Sequence, residues 1–157
     1  MRRRYLVLVT ALAAAAGLGA GLWLALAGGG THEPTRHAYL AEVSSVCRKY
    51  ARRLERIPVP AEPAAYGDVV SSVGRVLRVL GAQEAAMRAV PPPAELAPRL
   101  ERLFALDRRS VAELRPVLAA ARRRDAGGVA TGLVRFSSAR DHVHRVAVAI
   151  GIDCTVS

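Results

Sequence analysis

A chain of 157 residues is long enough for one folded domain with a single core, and its net charge of +10 comes from 23 basic against 13 acidic residues. With one tryptophan and two phenylalanines it has too few rings for the stacking platforms that hold single-stranded nucleic acid, so the basic surplus points to anionic lipid or acidic wall polymer and away from nucleic acid. Two cysteines, Cys47 and Cys154, allow one intramolecular bridge and, without a second pair or close histidine, no four-ligand metal site.

Residues 1–4 are a short basic start, with arginine at positions 2, 3 and 4. The next stretch, 5–27, carries no charge, and as a helix its 23 residues would extend about 34 Å, enough to cross a membrane. The arginines before it place the N-terminus in the cytoplasm and residues 28–157 outside, as a single-pass protein of the cell membrane. The same stretch also has the layout of a secretory signal, with Ala25-Leu26-Ala27 as the small-residue cleavage site. Its length favours retention, and secretion after cleavage near Ala27 stays open. Gly17 and Gly21, with Ala13 a step before them, form a small-residue face that a run this rich in alanine and glycine also produces by chance. No cysteine lies near the boundary to take a lipid.

Beyond a linker at 28–35, in which Thr35 is placed to cap the next helix, residues 36–157 predict an all-α fold: an antiparallel four-helix bundle closed by a Cys47–Cys154 disulfide. The part outside the membrane carries 20 basic residues against all 13 acids, a charge of +7. Because 22 of the 23 basic residues are arginine, the bias of a GC-rich genome explains the surplus as readily as selection for binding. The first helix runs from Arg36 to Ile57 with Tyr39, Leu40, Val43, Val46, Cys47, Tyr50 and Leu54 on one stripe, and Arg52, Arg53 and Arg56 complement its negative end. Pro58, Pro60 and Pro63 then impose an extended connection.

The second helix spans about Ala64 or Tyr66 to Val90, weakened locally by Gly74 and Gly81, and Pro91 to Pro93 end it. The third starts between Glu95 and Ala97, because Pro98 suits only a first turn, and reaches Arg124 with a kink or break between Leu114 and Val117 caused by Pro116. Gly127-Gly128 is read as the next turn. The fourth helix covers Val129 to Ile150, with Gly151 as its left-handed cap and Ile152 packing back. Comparing the depth of Cys47 within its helix with Cys154 beyond the last helix predicts an overhang of roughly 18 Å, with residues 36–46 projecting as a stalk.

The residues that carry this pattern are a first helix of the YLAEVSSVCRKY type, a proline-rich linker and a closing helix that ends AIGIDC. Over residues 38–154 the chain resembles the small secreted or membrane-anchored helical domains of unknown function found in GC-rich bacteria with one cysteine pair. That resemblance implies no activity, cofactor or catalytic residue.

Chemistry is sought in the polar residues that interrupt apolar stripes: Glu84 between Leu80 and Met87, Asp107 between Leu103 and Val111, and Arg140 between Phe136 and Val143. They suggest three arrangements: an internal ion pair that fixes register, an anionic-ligand pocket centred on Arg140, or the edge of a partly exposed stripe. His142 and His144, with Asp141, sit two apart on a helix and point in different directions, as solvated surface residues. The serine pairs Ser44-Ser45, Ser71-Ser72 and Ser137-Ser138 read as small helix-surface residues. No nucleotide-, zinc- or hydrolase-type motif occurs. The expectation is a non-enzymatic extracytoplasmic bundle with an envelope binding or structural role and an unknown protein partner. The alternatives are an arginine-mediated binder of anionic wall polymer or lipid headgroups, and a small-ligand carrier or enzyme with an Arg140 pocket.

Overall fold

The computed structural model describes residues 35–60 and 65–155. The expectations for the apolar stretch 5–27, its glycines, most of the linker and Pro63 lie outside those residues. Among the described residues all regular structure is helical: α1 Arg36–Glu55, α2 Tyr66–Arg88, α3 Ala97–Ala112, α4 Leu114–Arg122 and α5 Ala126–Ile150. No helix among them is long and apolar enough to cross a membrane.

The Thr35 hydroxyl accepts from the Ala38 N–H at 3.2 Å, which satisfies one of the donors left open at a helix start and fixes where α1 begins. Tyr39, Val43, Cys47 and Tyr50 then fall on one face and are buried. Helix α1 packs on α2, α2 on α4, and α5 on both α3 and α4, while no Cα of α1 comes within 8 Å of one of α5. Helices α1 and α5 meet through side chains, and the tail that follows α5 links them further. At Gly151 the backbone turns left-handed, with φ +104°, so that the Gly151 N–H bonds Val148 and the Ile152 N–H bonds Ala147, and Ile152 packs back at 1% exposure.

The tail then runs beside α1. Gly151 lies against Leu40, the Asp153 N–H donates to Ser44 Oγ at 3.0 Å, and Cys154 meets Cys47 in a disulfide with 5.0 Å between Cα atoms. This overturns the stalk. Tyr39 and Val43 are 1% and 0% exposed among residues of α2, α3 and α5, and the Arg36 guanidinium donates to the Ile150 carbonyl. Cys154 does lie beyond the last helix, but the turn at Gly151 folds the tail back along α1 instead of extending it past the helix end. The end of α5 is therefore level with the start of α1. Ser44, expected on the surface, is buried because it receives that tail.

The first three expected helices each stop two residues early, at Glu55, Arg88 and Arg122, and two further boundaries differ for a local reason. The break caused by Pro116 falls at Glu113, before the expected window, because a proline disturbs the carbonyl four residues earlier, which here belongs to Ala112. Helix α5 starts at Ala126, with the Asp125 carboxylate accepting from the Gly128 N–H at 2.8 Å, and the turn is made upstream, where Arg124 has φ 58°. Gly127 and Gly128 lie in the first helical turn.

Candidate functional site

The buried apolar residues form two groups. One contains Tyr39, Val43, Cys47, Met87, Leu103, Phe104, Val143 and Ile150, closed by Ile152; the other contains Val73, Leu80, Leu114 and Val117. Bordering the first group, with Leu54 beside the second also in its wall, lies a chamber of about 110 Å³ whose lining includes Gln83, Glu84, Asp107, Arg140, His144 and the disulfide. The three polar residues singled out from the sequence therefore border one space. They do not all pair with one another.

Arg140 donates to the Asp107 carboxylate, and the two side chains are 28% and 17% exposed. Burial pushes the Asp107 carboxyl above its ordinary range, the Arg140 charge pulls it part of the way back, and the nearby Glu84 charge adds to the rise. Glu84 faces the other way: it accepts from Arg88 at 2.9 Å and from Arg108 at 3.0 Å. Arg88 also binds Glu101 at 3.0 Å and lies 4.2 Å above the Phe104 ring, so this edge is an exposed network with one desolvated face.

Sequence reasoning missed Gln83. Leu80, Gln83 and Met87 have the three-and-four spacing of the buried face, so the polar interruption of that stripe is Gln83, and Glu84 stands one residue over on its edge. Gln83 is 8% exposed and donates to Cys47 Sγ at 3.0 Å, which gives its buried amide a partner on the disulfide. The signal was present in the spacing.

The chamber has room for a few water molecules and is well below the roughly 300 to 1,000 Å³ of small-molecule pockets. Its cation is matched by a carboxylate. A larger hollow of about 470 Å³ adjoins it, with Leu54 in the wall of both. This basin is walled by Ile57 and Pro58–Pro60 after α1, Val69 and Val73 of α2, Leu114 of α4, and Leu133 and Phe136 of α5. Ser72 lines it too, but its hydroxyl is turned to the Pro58 carbonyl at 3.0 Å and ties the proline segment to α2. At its lip Val59 is 90% exposed and Leu133 41%.

His142 and His144 are both exposed, and His144 reaches the chamber rim. No group of three metal-ligating side chains occurs among the described residues. Cys47 and Cys154 are joined across 107 positions, and no cysteine is free. Comparison with family models, with curated proteins and with solved structures finds no match to this chain.

Proposed function

We propose that the chain is a non-enzymatic binding protein of the cell envelope: an antiparallel four-helix bundle outside the membrane, closed by its disulfide and delivered or held there by residues 5–27. The observation that carries this reading is the Cys47–Cys154 bond, built into the larger apolar group and closing 107 positions, since such bonds persist in oxidising compartments and are reduced in most cytosols. The uncharged stretch behind Arg2 to Arg4 supports the same direction of export. A binding role is favoured over catalysis by the hollows. The polar one is small and internally paired, and the large one is apolar.

A fusion of reporters after Ser157 tests the export: a reporter active only outside the cytoplasm is expected, and one active only in the cytosol would overturn the reading. The arginine surplus supports a second, compatible reading, in which the bundle binds an anionic surface. Cosedimentation with anionic vesicles or purified wall that weakens as salt rises is the expected result. Salt-independent or absent binding would remove it.

A further inference from the structure

The basin occupies one end of the bundle. Leu54 and Ile57 at the end of α1, Val69 and Val73 at the start of α2, and Val129 and Leu133 at the start of α5 share its wall, and the end of α4 meets the start of α2 where Ala121 and Arg122 border Tyr66 and Val70. That same end carries Arg52, Arg53, Arg56, Arg122, Arg123 and Arg124, all exposed, against the described carboxylates Glu55, Asp68 and Asp125. Two of the six arginines are engaged: Arg123 stands 3.9 Å from Asp125, and Arg53 lies 4.7 Å above the Tyr50 ring. Arg52, Arg56, Arg122 and Arg124 form no ion pair among the described residues.

Helix dipoles account for arginine at the ends of α1 and α4, yet they do not account for an open apolar hollow of ligand size at the same end of the bundle. We propose that this end of the bundle binds a single alkyl chain with an anionic head, the chain lying in the basin and a phosphate or carboxylate meeting the exposed arginines of the same end, of which Arg53 and Arg56 stand next in sequence to the wall residues Leu54 and Ile57. The inference rests on the anionic-surface reading and narrows it. An acidic wall polymer could use the arginines but has no chain to fill the hollow, whereas an anionic lipid or a free alkyl phosphate uses both.

The test uses the full chain in phosphatidylcholine nanodiscs and dodecyl phosphate with a diazirine at its methyl end, irradiated and mapped by peptide mass spectrometry. Label is expected on the peptides that carry Leu54–Pro60 and Val129–Phe136. Leu133→Trp, which fills the basin from a half-exposed position, should cut that label roughly tenfold, the factor that 1.4 kcal/mol of lost contact produces. The double variant Arg56→Gln with Arg124→Gln changes only exposed side chains. It should lower the labelling several-fold and abolish the preference for the phosphate over a trimethylammonium probe with the same tail. Label confined to residues 1–33, or basin label that neither variant reduces, overturns the proposal. Salt-sensitive cosedimentation that persists while the basin stays unlabelled keeps the surface reading and refutes the alkyl site; loss of both removes both.

Discussion

Removing the disulfide should lower stability by an amount the sequence separation sets. Closing a loop over 107 positions restricts the unfolded chain by about 16 cal/mol/K in the chain-entropy treatment, or about 4.8 kcal/mol at 25 °C. The compact unit Pro34–Ser157 has 124 residues, and at about 2.1 cal/mol/K per residue its unfolding entropy near the midpoint is about 0.26 kcal/mol/K, so the loss translates to a Tm lower by about 18 °C. The site adds a distinction that a loop calculation lacks. Gln83 donates to Cys47 Sγ, and in Cys47→Ser a hydroxyl can take over as acceptor, whereas in Cys47→Ala the buried amide loses its partner at a further cost of about 1 to 3 kcal/mol. Thermal unfolding of Cys154→Ser, Cys47→Ser and Cys47→Ala, together with reduced wild type, checks both steps. Reduced wild type and the two serine variants should fall together, with the alanine variant below them. A Tm drop of only a few degrees for all of them would refute the loop argument, and equal Tm values for Cys47→Ser and Cys47→Ala would refute the role given to Gln83.

Arg140→Leu should destabilise the fold by about 1 to 3 kcal/mol, because it leaves the Asp107 carboxylate largely buried without its cation, while Arg140→Leu combined with Asp107→Leu should recover most of the loss; urea unfolding of both variants decides. Since burial raises the Asp107 carboxyl above its ordinary 3.8, that group favours the folded state at low pH, and the contribution is lost as pH rises through the raised value; the stability of wild type relative to Asp107→Asn should therefore fall from about pH 4 upward, as read from denaturation midpoints across pH. Gly132→Ala would put a Cβ 2.6 Å from Cγ2 of the fully buried Val117, a β-branched side chain with little room to turn, and should cost about 1 to 2 kcal/mol net of the gain in helix propensity. Gly81→Ala, with open space around the new methyl, should instead stabilise by up to about 1 kcal/mol, and thermal melts of the two variants should move in opposite directions.

Much of this arrangement is legible in the residues because local rules act alone there. Thr35 is a cap by its chemistry, Gly151 by its freedom at positive φ, and the stripe holding Tyr39, Val43 and Cys47 by its spacing. Asp107 meets Arg140 because each interrupts an apolar face, and two such interruptions in a shared interior seek each other. What was not legible depended on direction after a turn or on a choice between adjacent positions. The stalk failed because residue counts took Cys154 to lie further along the axis of the last helix, whereas beyond Gly151 the tail runs back beside α1. Glu84 and Gln83 differ by one helical step, about 100°, which separates a buried amide bound to sulfur from a carboxylate shared by two surface arginines. The basin had no signature at all, since its wall is drawn from segments far apart in the chain.

The covalent fastening of this molecule is lopsided. The Cys47–Cys154 bond secures the half that contains Tyr39, Phe104 and Ile150, whereas the half around Val73, Leu114 and Val117 has no covalent link and is held by packing and by the Ser72 bond to the Pro58 carbonyl. Opening events should then begin at the far half and stop at the fastened one, giving amides of Val69–Val76 and Val129–Phe136 faster hydrogen exchange than those of Tyr39–Cys47. A hollow that has to admit and release a guest is thereby set in the part of the fold that yields first.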